Sequence, residues 1–219
     1  MQISPSVKVQ YELVTSPLQA GFILSKLPPL VACDFEARSK YTAEQKEQLK
    51  LALTSSVLSL DESLKIRQML NATALHHASH VWITHFSVAI SDAFAYVFVL
   101  DTPAMTRTVL QWIVNTNCHQ IWHNAGYDLT LVYYYTQKFP KFFDDTRLMA
   151  KAMLNNCLDY KSNVKLKYLK GYKYGKWAVS PDVFETVDIY NPDFLEYSAT
   201  DSCATYDLYQ DIIAYAKDG

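Results

Sequence analysis

Hydrophobic and polar positions change period several times along the chain, and the changes mark its elements. Residues 30–36, LVACDFE, form a short apolar run that follows a proline pair and closes in acids, the pattern of a strand. Residues 41–80 take helical spacing. Thr42 and Gln45 match a capping box, Leu49, Leu51, Leu53, Leu58 and Leu60 follow, and a second segment opens at Asp61, so a pair of helices is expected. VWITHFSVAI and AYVFVLD, rich in β-branched and aromatic residues and separated by SDAF, predict a hairpin. Thr102 and Pro103 supply an N-cap and a first-turn proline for a helix to about Asn117. HQIWHN then reads as a short strand feeding a helix from about Gly126 to Lys138. KFFDDT is a second short strand or an extended turn, and a helix from Asp145 to about Asn155 follows. Asn191 and Pro192 start the last helix, which runs to near Lys217.

That last helix carries an anomaly. From Tyr197, spacings of three and four give Tyr197, Asp201, Ala204, Leu208, Ile212 and Tyr215 as the core-facing stripe, and Asp201 is its one charge. A carboxylate on a buried stripe is costly without a cation, a metal or a set of donors. Two other stretches bear acids that are candidates to meet it. In ACDFEA, Asp34 and Glu36 project together from the strand while Cys33 and Phe35 point the other way, Phe35 towards the core. Such a pair repels unless a divalent cation such as Mg2+ or Mn2+ neutralises both; otherwise it is the solvated end of an exposed strand. In WHNAGYDLTLV, Asp128 falls in the first turn of a helix, where the helix dipole alone favours an acid. Asn124, at the strand end, is placed to orient a neighbouring ligand or substrate.

D-x-E on the first strand, N-x-x-x-D across a strand-to-helix junction and Y-x-x-x-D on the final helix occur in that order. The constellation resembles the DnaQ-like 3'-5' exonucleases of the ribonuclease H fold, in the subgroup named for four acids and a tyrosine. Asp34 and Glu36 match its first motif, Asp128 its second, Tyr197 and Asp201 its third; Asn124 and DDTRLMAKAM (144–153) match recurrent features. The resemblance covers roughly residues 28–215 and is closest to the exonuclease domain of bacterial and phage family A DNA polymerases. It implies an α/β, three-layer fold with a mixed five-stranded sheet flanked by helices. The helical segment 41–80 departs from the short connection usual there and would reshape the substrate groove. The resemblance also implies two divalent ions, Mg2+ or Mn2+, with Asp34 bridging them and Glu36, Asp128 and Asp201 completing their shells. Tyr197 would orient the attacking water, and its spacing of four from Asp201 puts both on one helical face.

Composition adds limits. A chain of 219 residues, half of them hydrophobic, suits one folded domain over 1–219, and neither repeats nor linkers divide it. The net charge of -2 gives no global pull on nucleic acid or membrane, so any grip must be local. Between Asp159 and Asp182 lie Lys161, Lys165, Lys167, Lys170, Lys173 and Lys176 and no acid, interleaved with Tyr160, Tyr168, Tyr172, Tyr174 and Trp177. Lysines neutralise phosphates and aromatic faces stack on bases, so Lys165, Lys167, Lys170, Lys173, Tyr172 and Tyr174 join Asn124 as expected substrate contacts. The plainer alternative is a solvated loop with its tyrosines packed beneath. His76 and His80 share helical spacing, but with no Cys or paired acid motif near them His76, His77, His80 and His85 read as surface or satisfied histidines. VYYYTQ reads as a helix packing its aromatic face. Four scattered cysteines and no apolar leader or spanning run fit a soluble cytoplasmic protein without a membrane partner.

The function expected is a metal-dependent 3'-5' exonuclease on single-stranded or frayed DNA 3' ends. It would serve proofreading, replication or repair, beside a DNA polymerase or another replisome component. A 3'-5' exoribonuclease of the ribonuclease D type, acting on RNA, is the alternative within the fold, separated by contacts to the 2'-OH. A nucleic-acid-binding or polymerase accessory module without turnover is the alternative from another class. Four repelling carboxylates argue against it.

Overall fold

The computed structural model describes residues 7–54, 58–70, 78–153, 164–175 and 187–218. Its centre is a mixed sheet built from β1 (Gln10–Val14), β2 (Leu30–Ser39), β3 (Val81–Ala89), β4 (Phe94–Val99), β5 (His119–Trp122) and β6 (Phe143–Asp145). The strand order is β1-β4-β3-β2-β5-β6. β2, β3 and β4 form an antiparallel meander, while β1, β5 and β6 each pair in parallel. Six strands replace the expected five. The extra one is β1, whose sequence QYELV buries only Val14 and so presents no apolar run to read. β2 also runs three residues beyond the predicted 30–36, pairing through Ser39 with Val81, and its register breaks between Glu36 and Ala37. Such a bulge bends a strand and re-aims its side chains.

Strand alternation sorts β2 into two faces. Val31, Cys33 and Phe35 enter a core with Phe86, Phe98 and Trp122. That core is closed by α1 (Pro17–Leu24), α4 (Pro103–Asn115) and α5 (Ala125–Thr136). Thr102 caps α4 as predicted, its hydroxyl accepting from Met105 N–H at 3.2 Å. On the other face Ala32, Ala89, Val97 and Ile121 pack against α6 (Thr146–Met153) and the long α9 (Pro192–Asp218). Two single turns, α7 (Leu166–Leu169) and α8 (Gly171–Tyr174), lie on this face too, through Leu166 and Tyr174. Asn191 caps α9 through Asp193 N–H at 2.9 Å.

The predicted helical pair is present as α2 (Ala43–Leu53) and α3 (Leu60–Leu70). Neither buries any described residue, so local signals set them: the Thr42–Gln45 capping box, and Ser59 exchanging hydrogen bonds with Glu62. No helix among the described residues is long and apolar enough to cross a membrane.

Candidate active site

Asp34 and Glu36 stand on the α9 face of β2, opposite Ser87 and His85 of β3. Ser87 Oγ donates to Ser198 O at 2.9 Å, fixing α9 against the sheet one residue from Tyr197. The next inward turn of α9 carries Asp201, which is 9% exposed. One ligand oxygen from each of Asp34, Glu36 and Asp201 lies within 4.8 Å of the others. Asp34 Oδ2 and Glu36 Oε1 are sealed from solvent and have no hydrogen-bond partner among the described residues. Buried carboxylates gathered this closely suit a hard divalent cation. Burial, then the charge of Glu36, Asp201 and Asp128, holds the Asp34 carboxyl well above its usual range, against the opposing pull of Lys167. Glu36 is raised in the same way, first by burial and then by Asp201.

Asp128 reaches this cluster from the other face. It is 4% exposed in the first turn of α5, and its Oδ1 accepts from Phe35 N–H, between the two β2 acids, at 3.2 Å. A dipole-favoured surface acid would be solvated; this one is buried, and burial pushes it up to about 8 although backbone donors pull down. The chain enters α5 through Asn124 in the left-handed region, φ 68°, a conformation that Asn tolerates well.

Asp145 holds that junction. Its carboxylate accepts from Asn124 and Ala125 N–H, both at 3.0 Å, and from Arg147 N–H at 2.8 Å, so one side chain serves the starts of α5 and α6. Sequence reasoning noted DDTR only as a recurrent feature and gave Asp145 and Arg147 no role. Arg147 Nη1 donates to Asn124 Oδ1.

Tyr197 lies one turn before Asp201 on the same face, as its spacing predicts. Burial, then Asp201 and Glu36, raises the phenol far above its usual range. Lys167 Nζ donates to Tyr197 Oη and, at 3.2 Å, to Asp201 Oδ2.

The expected lysine groove is divided. Lys165 and Lys167 line a cleft of about 360 Å³ with Asp34, Asp201, His123, Asn124 and Arg147. Lys170 and Lys173 do not reach it. The Lys170 side chain, 2% exposed, pairs with Asp207 and, at 2.6 Å, with Asp211; Lys173 pairs with Asp207 at 2.6 Å and Asp92 at 3.0 Å. Tyr174 is buried and donates to Asp92 O at 2.7 Å, while Tyr172 is 60% exposed beside Lys170. Lys170 and Lys173 belong to an internal clamp because acids distant in sequence meet them, Tyr174 packs beneath it, and Tyr172 stays at the surface. Tyr160, Lys161, Lys176 and Trp177 lie outside the described residues.

His85 is a satisfied core histidine, Nε2 meeting Ile189 O at 2.6 Å, and burial lowers it to about 4. His80 pairs with Tyr41 Oη at 2.7 Å; His76 and His77 lie outside the described residues. Tyr133, Tyr134 and Tyr135 are each more than 40% exposed, so VYYYTQ does not bury the aromatic face expected of it. A larger cleft, about 450 Å³ between α4 and the end of α5, has among the described residues only Asp101 and Arg107 as charged lining groups.

Solved structures share this architecture. Brucella melitensis NrnC bound to pGG superposes with a TM-score of 0.58 at 12% identity, covering 97% of this chain and 83% of that one. The same protein with bound Mg2+ gives 0.55. Escherichia coli RNase D, an exoribonuclease involved in structured RNA processing, gives 0.57 at 10% identity over 96% of this chain and 46% of its own. Trypanosoma brucei RNase D in complex with RNA U12 gives 0.59 at 13%, over 94% and 63%. At these identities the likeness is one of fold. No protein-family model matches the chain, and no curated protein matches it in sequence.

Proposed function

We propose that the protein is a metal-dependent 3'-5' exoribonuclease. The observation that carries this reading is the convergence of Asp34, Glu36 and Asp201 within 4.8 Å, with sealed, unpartnered oxygens on Asp34 and Glu36. Asp128 and Tyr197 stand beside them, completing the set expected from the motif order. The shared fold supports it: the neighbours are named for NrnC and RNase D, and two hold pGG and RNA U12. The motif order pointed first to DNA ends and polymerase proofreading; the structural neighbours favour the ribonuclease D alternative.

Asp34, Glu36 and Asp201 would hold divalent ions, Mg2+ or Mn2+, with Asp128 joining their shells once deprotonated. Bound there, two such ions supply charge neutralisation at the scissile phosphate and make hydroxide accessible from water near neutral pH. Tyr197 directs its hydroxyl over the acids and orients the water for in-line attack, with the 3' oxygen as leaving group. Lys165 and Arg147, which line the same cleft as Asp34 and Asp201, contact phosphate oxygens of the strand. Asn124 holds Arg147 in that position and touches the terminal nucleotide only through it.

The test is degradation of a 5'-labelled single strand, as RNA and as DNA of one sequence, with Mg2+, Mn2+ or EDTA. Stepwise shortening from the 3' end, faster on RNA and absent in EDTA, is expected. Faster DNA hydrolysis would restore the DNA-end reading, and binding without hydrolysis in any metal would make the chain a binding module.

A further inference from the structure

We propose that Lys167 is a positioning residue for the Tyr197–Asp201 pair, a deepening that rests on the exonuclease reading. Its Nζ donates to Tyr197 Oη and to Asp201 Oδ2 at 3.2 Å, and stands 4.1 Å from the centroid of the tyrosine ring. An ammonium only donates, so the phenol oxygen must accept from it. The phenol's own proton is then turned away from Nζ. A phenol held in one donor–acceptor arrangement presents a single fixed partner to the attacking water. Without Lys167 the phenol can exchange donor and acceptor roles, and the water loses a fixed orientation.

The lysine is delivered from an anchored platform. Lys170 and Lys173, in the turns that follow it, are clamped to Asp207 and Asp211 of α9 and to Asp92. α9 is also the helix that carries Tyr197 and Asp201, so the donor and both acceptors are held to one rigid element. Exposure separates the roles: the Lys170 side chain is 2% exposed and the Lys167 side chain 31%, so the first anchors and the second faces the cleft.

A counter-ion that merely relieves acid repulsion would occupy the same place, and a double-mutant cycle distinguishes the two. Measure kcat and KM on RNA for the wild type, Lys167→Met, Tyr197→Phe and the double variant. Each single change is expected to lower kcat about ten- to a hundredfold with KM little altered, the span set by one charge-assisted hydrogen bond. The double variant should be no slower than the worse single, and Lys167→Arg should recover part of the loss. Losses that multiply, or a raised KM with unchanged kcat, would overturn the assignment. A Mn2+ isotherm without nucleic acid judges it independently. Nζ competes for Asp201 Oδ2, so Lys167→Met should tighten Mn2+ binding severalfold, and an unchanged isotherm would overturn it. A wild type that degrades neither RNA nor DNA would sink the exonuclease reading while leaving the isotherm to decide on Lys167.

Discussion

Metal binding at the acid cluster should expel protons. The perturbation is a Mn2+ titration of the wild type at pH 7 and at pH 9. A carboxyl that titrates at about 8, as Asp128 does, is roughly nine-tenths protonated at pH 7 and about one-tenth at pH 9. Deprotonating it to meet a cation therefore releases about 0.9 proton at pH 7 and about 0.1 at pH 9 from this residue alone. Asp34 and Glu36 are raised as well, so the total at pH 7 should exceed one. The assay is calorimetry in two buffers of different ionisation enthalpy, where the slope of heat against buffer enthalpy counts the protons. The sign of the stability profile follows from the same shift. The unfolded Asp128 carboxyl ionises near 3.8 and the folded one at about 8, so the folded state binds more protons in between. Stability of the metal-free protein should fall as pH rises through that window, by about 1.4 kcal/mol per pH unit for one carboxyl, and level off above it. Saturating Mn2+ should flatten the profile. A proton count near zero at pH 7, or equal counts at the two pH values, would refute the view that burial keeps protons on these acids until a cation replaces them.

Other substitutions divide the site from its scaffold. Asp34→Ala or Asp201→Ala should abolish hydrolysis in the strand-shortening assay, because each removes a ligand from a set that acts as a unit. Mn2+ at ten times its dissociation constant should raise the wild-type melting midpoint by about 3 to 6 °C and leave Asp34→Asn unmoved; parallel shifts in the two would put the metal elsewhere. Lys170→Met should lower stability to urea by about 3 kcal/mol, since it leaves the buried Asp207 with one cation fewer, while the KM for RNA stays unchanged. Lys165→Ala should do the reverse, weakening RNA binding and reducing its salt slope by about one with no loss of stability.

Periodicity made most of the fold legible. The alternation that put Asp34 and Glu36 on one face and Phe35 on the other is the alternation observed, and the caps at Thr42, Thr102 and Asn191 all start helices. β1 was not legible, because a five-residue edge strand that buries one side chain has no pattern to distinguish it from a loop. Asp128 was ambiguous for a different reason. Its position in a first turn explains an acid equally well by dipole or by ligand, and what the sequence could not show is its burial and its contact with Phe35 N–H, 93 residues away. Asp145 was invisible in its role, because the two helix starts it serves meet only after β5 and β6 pair. The lysine segment was misread in part because sequence shows the absence of nearby acids but not the approach of distant ones.

α9 explains why the correct and incorrect readings fell where they did. At about 1.5 Å per residue its 27 residues span about 40 Å, whereas six strands at about 4.8 Å make a sheet only about 25 Å across. The stripe read from sequence therefore holds while the helix crosses the sheet, with Ala204, Leu208 and Ile212 buried, and fails at Tyr215, which is 68% exposed beyond it. Asp201 occurs where the stripe crosses β2 at its acid pair, so in the proposed site its charge would answer Asp34 and Glu36 through a cation. Asp207 and Asp211 sit farther along, where α7 and α8 cover the helix, so their charges answer Lys170 and Lys173. One helix thus uses the same residue type for two purposes, and the distinction is in the partner: carboxylates facing carboxylates call for a metal, and carboxylates facing lysines fasten the platform that brings Lys167 to Tyr197. Exchanging Asp211 for Asn should consequently loosen the platform, lowering kcat through Lys167 while leaving the Mn2+ requirement in place. A kcat equal to that of the wild type would separate the clamp from the chemistry.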